Sequence, residues 1–266
     1  MKKSVNSPNN QLLISLPFRS KKPRENGLSN MVDKGYGLKQ LDDILSFCSD
    51  YVDIVKLGWA SAYITPTLSE KVKLFNNYNI RTCLGGMMFE ICFWQGKIEE
   101  YADFMRHFNI DMVEVSNGSL PISEKDKVRM IEYYANLGFT VLSEVGSKDV
   151  TVCTPPEEWV KCIRDDLNAG AWKVITEGRA DASAGIYNSE GVIKDDIINA
   201  IFESNISVEK IIYEAPKKKQ MTWFVKQVGA NVNIGNIPLD EIMNLETLRL
   251  GLRGDTVNHF HNKRSE

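Results

Sequence analysis

The sequence predicts an α/β chain folded as a single-domain (β/α)8 TIM barrel, on three observations. Eight short runs rich in Val and Ile alternate with longer segments of helical period, at a spacing of roughly 20 to 40 residues. A right-handed βα crossover repeated eight times closes naturally into a barrel. The competing architecture, a doubly wound open sheet, usually carries a glycine-rich phosphate loop after its first strand. The nearest match here is Gly35-Tyr36-Gly37, which lacks the third glycine.

In chain order the strand expectations are SNMVDKG (29–35), VDIVKLG (52–58), IRTCLGG (80–86), DMVEVSNG (111–118), FTVLSEVG (139–146), WKVITEG (172–178), KIIYEAP (210–216) and NVNIGNI (231–237). Helical period marks residues 97–108, 123–137, 155–169, 193–204, 218–228 and 239–252. Ser123, with Asp126 three positions on, forms a weak capping box, and Pro155-Pro156 suits a first helical turn. Residues 1–29 read as an N-terminal extension, partly flexible, with packing across one end of the barrel as the alternative, 30–257 as the barrel and 258–266 as a C-terminal tail. The apolar patch 12–18 is broken by Ser15 and Pro17, too short and polar for a signal sequence.

Composition narrows the partners. The chain is 43% hydrophobic and 25% charged with a net charge of −3, so nothing electrostatic points to nucleic acid. No apolar run approaches the ~18 residues that span a bilayer, so no membrane is expected. Five cysteines (48, 83, 92, 153 and 162) form no CxxC pair and fit reduced thiols in a cytoplasmic protein. Histidine is scarce: His107 lies late in a helical segment, His259 and His261 near the C-terminus. A Ser–His–Asp machine, a Cys–His pair or a histidine metal site has almost nothing to work with. GxSxG and GxxxxGK[ST] motifs are absent, and acid–base work falls to Glu, Asp, Lys, Arg or Tyr.

Barrel active sites gather at the C-terminal strand ends. There the sequence places Asp33 and Lys34, Lys56, Gly85-Gly86 with Glu90, Glu114 with Ser116 and Asn117, Glu144 with Lys148, Glu177 with Arg179, Glu214 with Lys217, and Asn233 with Asn236. Four consecutive strands each deliver a glutamate. Period-2 alternation puts Met112, Glu114 and Ser116 on one face and Val113 and Val115 on the other, so Glu114 looks into the barrel mouth. Like parity pairs Leu142 with Glu144 and Ile212 with Glu214. Converging carboxylates need cations. Lys56, Lys148, Arg179 and Lys217 supply some, and oxygen-only ligands suit Mg²⁺. The expected substrate is a small anion. Each glutamate could instead be a structural ion-pair partner, Gly85-Gly86 a tight turn, Asn233 and Asn236 helix caps, Lys217 part of a solvated helix start, and the cysteines and Met87-Met88 packing residues. Lys56, alone in an apolar run, demands a partner or a task.

The motifs VDIVKLGW, VEVSNGSLPIS, VLSEVGSK, DLNAGAWKVITEGR, IIYEAP, NVNIGNI and LETLRLGLRGDT follow one another as in the phosphosulfolactate synthase family, which the chain resembles from about Lys22 to Thr256. Members of that family are (β/α)8 barrels that add sulfite to phosphoenolpyruvate in a Mg²⁺-dependent reaction. The product, (2R)-phospho-3-sulfolactate, leads toward coenzyme M in methanogens and to sulfolactate in some bacteria. The resemblance therefore implies phosphoenolpyruvate and sulfite as substrates and Mg²⁺ as cofactor. The family's lysine after EVG, proposed to protonate C2, aligns with Lys148. The catalytic candidates are Lys148, Lys56 and Arg179. Asp33, Lys34, Asn117, Lys217, Asn233 and Asn236 are candidates for substrate, and Glu114, Glu144, Glu177 and Glu214 for metal. Assembly as a homo-oligomer is expected.

Three loops depart from the family pattern: VKFGWGTS is VKLGWASA, GGTLFE is GGMMFE, and EARESG is EGRADASAG. They leave two alternatives open: a member adding another nucleophile to phosphoenolpyruvate or a similar enol ester, and a non-catalytic member like the plant heat-stress-associated relatives. Presence of Lys56, Glu114, Glu144, Lys148, Glu177, Arg179 and Glu214 together argues against the latter.

Overall fold

The computed structural model describes residues 14–149, 151–179 and 181–261. Within them eight parallel strands close into a barrel in sequence order. They are β1 (Ser29–Asp33), β2 (Ile54–Leu57), β3 (Arg81–Leu84), β4 (Met112–Val115), β5 (Thr140–Val145), β6 (Lys173–Thr176), β7 (Ile211–Glu214) and β8 (Ile234–Ile237). The helices between them are α1 (Leu38–Cys48), α2 (Leu68–Asn77), α3 (Gly86–Trp94), α4 (Ile98–His107), α5 (Glu124–Asn136), α6 (Pro156–Asn168), α7 (Asp195–Glu203), α8 (Lys218–Val228) and α9 (Ile242–Arg249), with a short α10 (Val257–Phe260) closing the described chain. Each of the eight expected strands is present.

The amphipathic helices bury one stripe against the outer face of the strands. Val113 and Val115 join that outer core with Ile131 and Tyr134 of α5. Inside the barrel a separate apolar cluster forms from Ile54, Cys83, Met112, Leu142, Ile175 and Ile212, one residue from each of β2 to β7. Two positions further along the same strands stand Lys56, Gly85, Glu114, Glu144, Glu177 and Glu214. Period-2 alternation therefore stacks a ring of charge directly on a ring of hydrocarbon.

The opposite end of the barrel is closed by the N-terminal segment. Arg24 Nε pairs with Asp53 Oδ1 at 2.9 Å, Arg19 Nε with Glu246 Oε1 at 3.0 Å, and Lys22 Nζ donates to the Val52 carbonyl at 2.6 Å. Of the expected extension, residues 1–13 lie outside the described residues, as do 262–266 of the expected tail. All five cysteines are free. Among the described residues no helix is long and apolar enough to cross a membrane.

Candidate active site

β2 and β4 to β7 each bring one ionisable side chain to the same interior level, and the turn after β5 adds Lys148. Lys56 Nζ lies 2.9 Å from Glu214 Oε1, 3.2 Å from Glu114 Oε2 and 3.9 Å from Glu144 Oε2. Lys148 Nζ lies 2.9 Å from Glu144 Oε1 and 3.4 Å from Glu177 Oε2. All four carboxylates and Lys56 are buried; Lys148 keeps 29% of its side chain exposed toward the opening. A cavity of about 80 Å³ lies among these groups, with Val32, Gly58, Trp59, Gly85, Gly86, Met87, Arg179 and Asn236 completing its lining. A single water needs roughly 10–15 Å³ on this measure, so the space admits an ion and a small anion.

Backbone amides orient the carboxylates. Glu114 Oε1 accepts from the Gly86 N–H at 2.6 Å, Glu214 Oε2 from Gly178 at 3.0 Å, and Glu177 Oε1 from Arg179 at 2.6 Å. Arg179 adopts φ 57° in that turn, and its side chain stays half-exposed at the mouth. A Cβ on Gly86 would stand 2.3 Å from Ser116 Oγ, so only glycine lets α3 begin this close to β4. Gly85 is its N-cap. Gly146, at φ 120°, turns the chain back so that Lys148 reaches the carboxylate four residues before it. A Cβ there would meet Trp159 at 2.4 Å and Glu177 Cβ at 2.9 Å.

The charges are unequally held. Burial, reinforced by Glu144 and Glu214, pushes Glu177 well above the usual carboxylate range. Burial also raises Glu114 to about 7, against the pull of Lys56. Burial would raise Glu144 too, but Lys148 and Lys56 outweigh it and hold that group at about 2. Burial would lower both lysines; the facing carboxylates reverse this and raise them. Fully ionised, four carboxylates against two interior ammonium groups would leave a surplus of negative charge, which the protons that Glu177 and Glu114 tend to keep relieve. Glu144, Glu177 and Glu214 each offer an oxygen within 4.8 Å of the others. Glu177 Oε2 is buried with no hydrogen-bond partner. An all-oxygen trio, with Glu177 Oε2 held only by the 3.4 Å ion pair to Lys148, is a donor set that suits a hard divalent cation. Glu114, expected with the trio, stands apart from it against Gly86 and Lys56.

Other expected site residues lie elsewhere. Asp33 faces outward: β1 presents Val32 to the cavity, so its neighbour points to α2, where Lys71 Nζ meets Asp33 Oδ2 at 2.6 Å. The other carboxylate oxygen accepts from the Gly35 and Tyr36 amides. Asn233 precedes β8 and sits at the far end of the barrel, with Oδ1 accepting from Leu28 N–H and Nδ2 donating to the Glu209 and Ile211 carbonyls. Asn117 donates to Glu124 Oε1 at 2.8 Å, outside the cavity. Lys34 and Lys217 are exposed and do not line it. Glu90 holds the loop after β4 by accepting from Ser116 Oγ and the Ser119 and Leu120 amides. The sequence reading missed Val32, Gly58 and Trp59 as lining residues, and Met87, offered there as a packing residue, also lines the cavity. Parity along β1 was the available signal for Val32; the left-handed backbone that swings Trp59 into place left none.

The family described as (2R)-phospho-3-sulfolactate synthase (ComA) matches residues 17–255. The chain is 41% identical over 249 residues to a phosphosulfolactate synthase of Bacillus subtilis (strain 168), covering 93% of this chain and 98% of that protein. It is 40% identical over 246 residues to a phosphosulfolactate synthase of Methanothermobacter thermautotrophicus, covering 91% and 95%. Among solved structures, the YdjI aldolase from Escherichia coli K12 aligns with a TM-score of 0.55 at 11% identity over 82% of this chain and 78% of that one, a likeness of fold alone.

Proposed function

The chain belongs to the (2R)-phospho-3-sulfolactate synthase family and is an enzyme of that type, and from that premise we propose that it adds sulfite to phosphoenolpyruvate at the charged cavity of the C-terminal rim. The observation that carries this reading is the buried alternation of two ammonium groups with four carboxylates around one small opening. Such a site suits a polyanion whose charge shifts during reaction.

In this reading the sulfur lone pair of sulfite forms a bond to C3 of phosphoenolpyruvate. The C2–C3 π electrons move toward C2 and its carboxylate as an aci-carboxylate. The Lys148 ammonium gives a proton to C2 and is reprotonated from solvent through the mouth that leaves it part-exposed. Lys56, fixed by three carboxylates, opposes the negative charge that develops on the substrate carboxylate. Arg179, half-exposed at the entrance, meets the phosphate, and Asn236 lies on the same wall. Glu144, Glu177 and Glu214 would hold Mg²⁺, which when bound supplies charge neutralisation and Lewis-acid polarisation of the substrate oxygens.

Incubation with phosphoenolpyruvate, sulfite and Mg²⁺, followed by ³¹P NMR, tests the reading. The enol-ester resonance should give way to that of an alkyl phosphate ester, and EDTA should stop the change. Lys148→Ala should lower kcat by roughly 10²- to 10⁴-fold with the fold intact. Phosphoenolpyruvate left unchanged by wild-type protein at saturating sulfite and Mg²⁺ would sink it.

A further inference from the structure

A second charged cluster lies behind β5, outside the barrel interior. Lys127 of α5 and Asp166 of α6 are wholly buried, with Lys127 Nζ 2.9 Å from Asp166 Oδ2. The same ammonium reaches Glu124 Oε2 at 3.1 Å and the main-chain oxygen of Glu144 at 3.4 Å. Asp166 Oδ2 accepts a hydrogen bond from the Ser143 hydroxyl. Glu124 Oε1 accepts from Asn117 Nδ2 at 2.8 Å. One run of contacts thus joins the loop after β4 to the end of β5.

Stability does not account for it. A buried ion pair recovers little more than its desolvation cost, and apolar side chains of similar bulk usually replace one without loss. What hydrocarbon cannot do is hold a hydroxyl and a carbonyl on adjacent residues. Ser143 points outward and Glu144 inward. Gripping the first side chain and the second carbonyl fixes the direction in which the Glu144 carboxylate leaves the strand. At the other end, the loop tethered by Asn117 presents the Gly118 carbonyl, which accepts from the Lys148 N–H at 3.2 Å. A Cβ on Gly118 would stand 3.5 Å from Lys148 Cγ, so that loop also walls the lysine stem.

We propose that Lys127 and Asp166 are positioning residues, which act through Ser143, the Glu144 carbonyl and the Asn117 loop to aim Glu144 and Lys148 at the cavity. The catalytic half of this inference rests on the reading that those two residues serve the reaction above; the geometric half does not. The test compares Lys127→Met, Asp166→Leu and the double variant with wild type by melting temperature, amide hydrogen exchange and steady-state kinetics. Lys127→Met leaves the buried Asp166 without its cation and Asp166→Leu leaves the buried Lys127 with only the part-exposed Glu124, so each should lower Tm by roughly 10 °C, whereas the double should return to within about 3 °C of wild type. In the refolded double, amides 143–149 should exchange at least about fivefold faster than in wild type. Its kcat should stay at least about tenfold down with KM within about threefold, as expected for a mis-aimed group. Ser143→Ala, a milder change, should show the same two effects at smaller size and decides the matter should the double variant not fold. Native exchange over 143–149, or full kcat, in a folded variant would overturn the proposal. An inactive wild type would instead overturn the assigned reaction, and the exchange rates would still judge the geometry.

Discussion

Trp59 and Ala60 carry consecutive left-handed φ values of 52° and 58°, in the turn that takes β2 over the cavity edge. An L-residue there costs roughly 1–2 kcal/mol, partly offset in a glycine variant by the larger entropy of its unfolded chain. Ala60→Gly should therefore raise stability by about 0.5–1 kcal/mol, read as a higher midpoint in urea, while the added freedom at the rim leaves kcat equal or lower. An unchanged or lower midpoint would mean that the turn is not strained. At this scale the sequence was uneven. Lys56 was legible because an ammonium inside Ile54-Val55-Lys56-Leu57 has no apolar explanation, and it has three carboxylate neighbours. Asp33 misled because its charge and position at a strand end fit a rim ligand, whereas alternation from Val32 turns it toward Lys71. Asn233 misled because the boundary of β8 begins one residue after it.

Elements were more legible than single residues, because a helix or strand is written many times over in its own periodicity. Ser123 caps α5 by accepting the Asp126 amide at 3.1 Å, and Pro155-Pro156 opens α6, both as the sequence indicates. The last expected helix, 239–252, is instead a 3₁₀ turn, Leu239–Glu241, followed by α9, since the chain leaves β8 through Pro238 and must first turn. The turns at the rim were not legible, because their geometry comes from contacts between elements distant in sequence. Gly146 is the clearest case, wedged between Trp159 of α6 and Glu177. Gly146→Ala should cost about 2–4 kcal/mol from overpacking and backbone strain. Activity should fall further than the unfolded fraction explains, because Lys148 leaves that same turn. Thermal unfolding measured beside kcat separates the two effects; loss of activity matching the loss of fold would refute the second.

At the scale of the whole molecule, the crowded carboxylates tie stability to pH in two windows of opposite sign. Glu114, raised from 4.5 to about 7, keeps a proton in the folded chain that the unfolded chain has released. Its contribution is fully present below pH 4.5 and disappears as pH rises through 7, and Glu177, also raised, acts in the same direction. Glu144, depressed from 4.5 to about 2, contributes above pH 4.5 and loses that contribution as pH falls toward 2. In EDTA the melting temperature should peak near pH 5 and decline toward pH 8. Saturating Mg²⁺ should flatten the alkaline decline, since a cation bound by Glu144, Glu177 and Glu214 takes over from the proton. A melting temperature that rises steadily to pH 8 in EDTA would contradict this. The barrel itself was legible from the alternation of its segments; the packing of the extension across one end was open only as an alternative, and its clamps were not legible, because Arg19, Lys22 and Arg24 look like ordinary solvated charges until Glu246, Val52 and Asp53 are brought beneath them. The hydrocarbon ring of Ile54, Cys83, Met112, Leu142, Ile175 and Ile212 has a kinetic corollary. It floors the cavity with hydrocarbon, so a molecule lodged among the charged groups has no passage downward through the barrel axis and, in the proposed reaction, would come and go across the rim.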